Sequence, residues 1–260
     1  MGKSIRKGEF AMIVPHYIFL SSSYTDGTRI ALDIVGDAAK QPEELRKILN
    51  KIYKIADPEA PVSAHFLNTQ SESWESVQKY DPYFEEVACL ESVETFAEKI
   101  KQDRVLSGVD VAKYILSQIK CTHLSLEKLV YFAYADYLCA TSEKLFADKI
   151  YAFKYGPVIE SVYEAYKHSG YKCVNPSEDH EPMESKLKDP ARSRILFAKD
   201  GLKKLTFINK TIATYKDYTA EQLVDLTHKK GTPWDKTDSK KSYNVIEDAL
   251  IQQYHYVEQV

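Results

Sequence analysis

The chain has 260 residues, of which 44% are hydrophobic, enough to bury the core of one large domain or two smaller ones. Its formal net charge of -3 gives no overall attraction to nucleic acid or to an anionic membrane. Four widely spaced cysteines without a C-x-x-C pair exclude a dense disulfide scaffold and a zinc ribbon, and they favour reduced thiols in the cytoplasm.

The N-terminal residues predict neither secretion nor a membrane anchor. Pro15 and His16 interrupt the apolar run Ala11 to Leu20, and no small-residue cleavage site follows it. No window approaches the roughly 18 apolar residues that a membrane helix needs. We therefore expect a cytoplasmic, unanchored protein, and we place no weight on the first ten residues, in which Gly8-Glu9-Phe10 is typical of a cloning scar.

The first part of the chain predicts a small α/β domain over residues 1–104. His16 to Val35 alternates like a β-hairpin, and Asp26-Gly27 favours a tight type I′ turn. Pro42 begins a helix with apolar residues at helical spacing. Further predicted elements are a strand over 62–67, a polar segment around Trp74, a strand over 84–90 and a helix over 93–101.

Acidic residues are concentrated between Ser71 and Ile100, a segment that contains eight acidic residues and two lysines. Such a run is typical of a solvated face, and a docking surface for a basic partner is the alternative.

From Ser107 onward the pattern is helical, and we expect a mostly α-helical domain over residues 105–260 and an α+β protein as a whole. Ser107 and Asp110 form a capping box, and so do Thr219 and Gln222. A helix capped by Ser125 carries a wide apolar stripe. The remaining predictions are a polar loop over 175–191, a helix over 202–215, a helix from Thr219 that ends before an αL cap at Gly231, and a helix over 245–257.

The sequence offers weak candidates for catalysis or metal binding, and we expect no cofactor. Ser125 and Lys128 match S-x-x-K, but the partner motifs of a serine nucleophile are absent and Ser125 suits a helix cap. His228 is a candidate general base, but its place at a helix C-terminus already explains it as a cation or cap, and no acid or nucleophile is visibly paired with it. Cys121, His123, Cys139 and Cys173 match no familiar zinc spacing.

Tyrosine is abundant, with 19 residues in the chain. The cluster between Tyr131 and Tyr171 suits a protein interface, because tyrosine offers a large contact area at low entropic cost. We expect about half of these rings to be core. An RNA-stacking platform is a weaker alternative, because basic residues do not concentrate on the same segments.

Two short segments, Tyr151 to Val158 and Leu226 to Trp234, follow the apolar helix Leu126 to Tyr134 in order. Together they resemble the Panacea (SocA-like) antitoxin domain, a bacterial and phage module. The helix is similar to the family's Leu-x-Lys-Leu-x-Tyr-Phe core, the first segment to its Tyr-Gly-Pro-Val motif, and the second to its Leu-Thr-His-x-x-x-x-Pro-Trp motif. The resemblance covers residues 107–240 and leaves the first domain unexplained.

The resemblance implies an antitoxin that binds a cognate toxin protein directly and is not an enzyme. One branch of the family instead delivers its toxin to a AAA+ protease. Alternatives are a DNA-binding regulator that uses the first domain, an enzyme that uses His228, and a homo-oligomer; nucleic acid is expected only for autoregulation. Gly156-Pro157 is expected to start a helix at Val158. The predicted partner-binding residues are Lys128, Tyr131, Lys154, Tyr155, Gly156, Pro157, His228, Pro233 and Trp234.

Overall fold

The structure, a computed structural model, describes residues 13–174, 189–237 and 244–260. The chain divides into two compact units, Met1–Asp103 and Arg104–Val260, which we call unit 1 and unit 2. The first ten residues and most of the loop predicted over 175–191 lie outside the described residues. Within the described ranges, no helix has both the length and the apolar composition needed to cross a membrane.

Unit 1 is built on a four-stranded mixed sheet. Its strands are β1 (Val14–Ser23), β2 (Thr28–Val35), β3 (Ser63–Thr69) and β4 (Val87–Leu90), in the order β3-β1-β2-β4. Only the β2 and β4 pair is parallel. The helices are α1 (Pro42–Ile55), α2 (Trp74–Tyr80) and α3 (Val93–Arg104), with 3-10 helices at Gly36–Lys40 and Pro82–Phe84.

The two faces of this sheet are covered by different helices. Phe19, Ile30 and Leu32 pack against α1 and α3, whereas Ile18 and Leu20 pack against Val77 of α2 and Phe84. This arrangement confirms the predicted hairpin, both strands and two of the helices. Helix α2 was missed, because its segment is polar and only Val77 is buried.

The predicted type I′ turn is wrong. The loop spans four residues, Tyr24 to Gly27, and of these only Gly27 has a positive φ (+68°). The Gly27 amide donates to the Tyr24 carbonyl at 3.2 Å. The buried Asp103 carboxylate accepts the amides of Tyr24 and Thr25 at 2.8 and 3.1 Å. This long-range anchor holds the wider loop, and local turn propensity could not reveal it.

Unit 2 is mostly helical, with a small sheet, so the predicted α+β class is confirmed. Helix α5 (His123–Thr141) is its centre, and every side chain from Ser125 to Ala135 is buried. Around it lie α4 (Gly108–Gln118), α6 (Glu160–Tyr166), α7 (Pro190–Phe197), α8 (Gly201–Tyr215), α9 (Ala220–His228), α10 (Pro233–Lys236) and α11 (Asp248–Tyr254), with 3-10 helices at Lys167–Ser169 and His255–Val257. Strands β5 (Ile150–Phe153), β6 (Gly156–Ile159) and β7 (Asn244–Val245) form a sheet in the order β6-β5-β7.

Some helix ends in unit 2 follow the sequence closely, and others differ from it. Both capping boxes are present, at Ser107 and at Thr219. The cap of α5 is Thr122, whose hydroxyl accepts the Ser125 amide at 3.2 Å, so the predicted cap at Ser125 is wrong by one turn. Pro190 begins α7 inside the predicted loop, and Val245 belongs to a strand.

Candidate functional site

The Tyr-Gly-Pro segment is a β-hairpin rather than a helix start. Strands β5 and β6 pair antiparallel, with Phe153 opposite Gly156 and Ala152 opposite Pro157. The expectation that Pro157 starts a helix is therefore wrong, and α6 begins at Glu160. Pro157 is tolerated because β6 is an edge strand, where a missing backbone N–H leaves no ladder bond unmade.

Two buried charged side chains of α5 hold strand β6. The Lys128 ammonium donates to the Pro157 carbonyl at 2.6 Å, and the Glu127 carboxylate accepts the Ile159 amide at 3.0 Å. Burial lowers the pKa of Lys128 to about 8, and the charges of Glu127 and Glu258 oppose that shift. A buried ammonium is costly unless it is paired and hydrogen-bonded, so this arrangement ties the hairpin to the central helix.

Gly156 allows the hairpin to approach the helices closely. Its φ is +101°, a backbone conformation that residues with a side chain rarely adopt. A Cβ atom at this position would lie 2.7 Å from Thr227 Oγ1 and 3.1 Å from Lys128 Cε. Glycine is therefore required here by both backbone conformation and space.

The second segment forms a compact turn between two helices. Helix α9 ends at His228, and the Thr232 amide donates to the Lys229 carbonyl at 3.2 Å. Gly231 has a φ of +95° and stands third in this turn, so it does not cap the helix directly as predicted. The Thr232 hydroxyl donates to the Thr227 carbonyl at 2.7 Å and also caps α10. The segment is thus locked before Pro233.

His228 and Trp234 attach this turn to the hairpin. The Trp234 indole donates to the Phe153 carbonyl at 2.8 Å. One ring nitrogen of His228 lies 3.2 Å from the Lys154 carbonyl and the other 2.8 Å from the Val224 carbonyl. The two rings are 3.8 Å apart between centroids. Because both nitrogens of His228 face carbonyl oxygens, it has no free nitrogen to act as a general base in this conformation.

The predicted partner-binding residues divide into an exposed and a buried group. Tyr155 is 58% exposed, and Lys154 is exposed beside it with its ammonium 5.4 Å from the Tyr155 ring centroid. His228 and Trp234 are partly exposed. Lys128, Tyr131, Gly156, Pro157 and Pro233 are buried. The buried group is placed to support the turn at Lys154-Tyr155 and not to reach a partner in this conformation.

A buried polar cluster fastens the C-terminal end of the chain to α5. His255 lies 2.8 Å from Glu258 and 3.0 Å from Asp136, and the Tyr131 hydroxyl donates to Glu258 at 2.9 Å. Burial alone would lower the pKa of His255, but the hydrogen bonds and charges of Asp136 and Glu258 outweigh it and raise the pKa to about 9. Sequence patterns gave no sign of this cluster, because its two halves, on α5 and near the end of the chain, are more than a hundred residues apart.

The other candidates for chemistry have structural partners. The Ser125 hydroxyl lies 3.1 Å from that of Thr122, whereas the Lys128 ammonium donates to the Pro157 carbonyl. Cys121 is buried, whereas Cys139 and Cys173 are exposed. Across the described ranges, no group of three or more His, Cys, Asp or Glu side chains is placed to hold a metal ion. Four of the eight clustered tyrosines are buried, which agrees with the even division expected: Tyr131, Tyr134, Tyr137 and Tyr166.

One arrangement in unit 1 that the sequence did not suggest has the geometry of a catalytic triad. His16 lies 2.7 Å from the Asp33 carboxylate and 3.0 Å from the Thr69 hydroxyl. The same His16 nitrogen that meets Thr69 is also 3.0 Å from the Ser71 carbonyl, which can only accept a hydrogen bond. The Thr69 hydroxyl donates to that carbonyl at 2.6 Å. These bonds favour a structural role for His16.

Comparison with known proteins identifies the helical scaffold. Residues 126–235 match the family described as antitoxin SocA-like, Panacea domain. The chain carries a Panacea domain. Antitoxin SocA of Caulobacter vibrioides (strain NA1000 / CB15N) is 27% identical over 135 residues, which cover 51% of this chain and 68% of that protein. No solved structure matches. The Panacea domain thus contains α5, the β5–β6 hairpin and the His228 to Trp234 turn, and unit 1 precedes it.

Proposed function

We propose that the chain is a cytoplasmic antitoxin that neutralises a cognate toxin protein by binding it directly. The observation that carries this proposal is the SocA-like Panacea domain, within which Lys154 and Tyr155 form an exposed, anchored tip. No arrangement of side chains in the described residues favours catalysis over binding at this tip.

The tip is suited to protein binding because it is already ordered. The carbonyls of Phe153 and Lys154 are held by Trp234 and His228, and Pro157 is held from below by Lys128. Binding to a turn that is already ordered costs less conformational entropy than binding to a loop that must become ordered in the complex. Preorganised aromatic side chains are frequent at the centres of protein interfaces.

The chemistry of the tip indicates the kind of surface that it fits. Tyr155 offers a large ring with a hydroxyl, and the exposed Lys154, Lys229 and Lys230 add positive charge on the same two segments. We expect the toxin to meet Tyr155 with an apolar pocket and the lysines with acidic side chains. In this proposal Tyr155 and Lys154 contact the toxin directly, His228 and Trp234 border the contact, and the buried residues of the predicted set keep the tip in place.

Co-expression with the protein encoded by the neighbouring open reading frame tests the proposal. That protein should be toxic alone, and this chain should restore growth and co-purify with it. Tyr155→Ala should weaken the complex roughly thirtyfold, the loss expected for an interface hot spot of about 2 kcal/mol. Tyr171→Ala is the matched control, because Tyr171 is fully exposed elsewhere in unit 2 and its loss should leave binding unchanged.

Other outcomes separate the alternatives. Growth that is restored only in cells with an active AAA+ protease, with a falling level of the toxin, would support delivery to proteolysis. A harmless neighbour, or rescue without any complex, contradicts direct neutralisation. If His228→Ala abolishes rescue while the complex stays intact, the binding proposal is wrong and a catalytic role replaces it.

A further inference from the structure

The outer edge of strand β3 in unit 1 is built like an acceptor for another strand. β3 pairs with β1 on one side, and no strand among the described residues pairs with its other side. Ser63–Thr69 contains no Lys, Arg, Asp, Glu or Pro, the residue types that usually keep an exposed edge from pairing. The backbone donors and acceptors of a seven-residue strand are therefore presented at an unprotected edge.

A groove lies beside β3 on each face of the sheet. Phe66 is paired with Tyr17 and shares with it a groove of about 500 Å³ against helix α1. Thr69 points to the opposite face, because side chains alternate along a strand, and it lines a second groove of about 520 Å³ with Ile13 and Tyr80. A strand added to this edge would place its side chains alternately on the two faces, where the first groove lies beside Phe66 and the second at the Thr69 end of β3.

Exposed apolar surface is concentrated at the same place. Phe66 is 54% exposed in the first groove, and Ile13 and Tyr80 are 72% and 65% exposed in the second. Tyr83, 48% exposed, has its ring centroid 5.5 Å from that of His65 on β3. These are the large apolar side chains that the described part of unit 1 exposes, and their grouping marks a site for a partner.

The charged side chains that line the grooves are all basic. Lys40 and Arg46 line the groove beside Phe66, and Lys79 lines the other. Arg46 lies 3.6 Å from Glu43, but both side chains are more than 70% exposed, so that pair holds Arg46 weakly. The grooves thus favour a partner with acidic residues.

We propose that β3 is the acceptor strand for an extended segment of a partner protein. Alternate apolar side chains of the partner segment enter the two grooves, and acidic residues that flank that segment face Lys40, Arg46 and Lys79. Backbone hydrogen bonds supply affinity in such strand addition, and the grooves supply specificity. A second copy of the chain fits less well, because its own β3 brings no acidic side chain to the basic rims. The proposal does not depend on the function of unit 2.

Fluorescence anisotropy with the full chain and a synthetic peptide tests this site. The probe is a labelled nine-residue peptide with valine and leucine in the five central positions and two aspartates at each end. Two control peptides replace the aspartates by lysines, or carry N-methyl groups on alternate backbone amides. We expect binding of the first peptide only, since one control loses the charge match and the other loses the backbone donors.

Variants of the chain locate the binding. Reversing both charges in Lys40→Glu/Arg46→Glu should weaken binding on the order of tenfold or more, as like charges then face each other. Phe66→Ser should weaken it to a similar extent, because it removes one groove wall that is already half exposed. Tyr155→Ala in unit 2 is the control and should change nothing, which separates this proposal from the toxin interface.

Several results would overturn the proposal. The N-methylated peptide binding as well as its parent would exclude strand addition, and equal binding of the acidic and basic peptides would exclude the charge match. Absence of binding at millimolar peptide would also contradict it. A dimer in light scattering that Phe66→Lys dissociates would assign the edge to a second copy of the chain instead.

Discussion

Replacing Gly156 by alanine would place a methyl group at the point where the β5–β6 hairpin meets helices α5 and α9. The new carbon would lie 2.7 Å from Thr227 Oγ1 and 3.1 Å from Lys128 Cε. Thr227 is fully buried, and its hydroxyl donates to the Val224 carbonyl at 2.8 Å, so it cannot move aside without losing that bond. The substitution therefore strains both the backbone and the packing.

The expected loss of stability follows from these two contributions. A φ of +101° costs a residue other than glycine about 1–3 kcal/mol, and overpacking a buried contact adds about 1–3 kcal/mol. We expect Gly156→Ala to lower the free energy of unfolding of unit 2 by about 2–6 kcal/mol. Typical domains have only about 5–15 kcal/mol in total, so the hairpin should also lose its anchored tip, and with it the proposed complex with a toxin.

Guanidinium unfolding followed by Trp234 fluorescence measures this loss, in a Trp74→Phe background that leaves Trp234 as the single tryptophan. Gly170→Ala is the control for positive φ alone, because Gly170 has a φ of +55° and no atom within 4 Å of an added Cβ. In a double-mutant cycle, Thr227→Ala should recover about 1 kcal/mol or more of the loss. A loss below about 1 kcal/mol, or strict additivity with Thr227→Ala, would refute the reasoning.

Three further predictions concern polar groups of unit 2, and each is measured by guanidinium unfolding. For Trp234→Phe the unfolding is followed by far-ultraviolet circular dichroism, because that variant removes the fluorescent probe. The pKa of His255 near 9 corresponds to about 3 kcal/mol of stability that is present below about pH 6.5 and lost as pH rises through 9. The difference in free energy of unfolding between the parent and His255→Gln should therefore narrow over that range. A difference that stays constant with pH would contradict this prediction. Lys128→Met should cost about 3–5 kcal/mol, because the Pro157 carbonyl loses its donor and the buried Glu127 loses the nearby positive charge, and a stabilised variant would exclude this role. Trp234→Phe should cost about 1–3 kcal/mol, since the carbonyl that its indole binds loses its donor; an unchanged midpoint would show that water replaces the indole.

The sequence by itself determined most of the elements, because their signals are local. The capping boxes at Ser107 and Thr219 depend on residues three positions apart, and the structure shows both. The apolar residues of α5 recur at helical spacing, which predicted a buried helix. The order of the three motifs in the second half also sufficed to recognise the Panacea domain.

The tertiary structure decided what those motifs do. A Gly156-Pro157 pair is compatible with a helix start as well as with a hairpin. The pairing of β6 with β5 and the hydrogen bond from Lys128 to Pro157 select the hairpin. A lysine and a tyrosine on α5 suggested a binding surface, yet the helices packed around α5 bury Lys128 and Tyr131 completely. These outcomes depend on contacts between residues far apart in the chain, which local pattern does not encode. Among the predicted partner-binding residues, burial leaves Tyr155 and Lys154 most exposed to a partner.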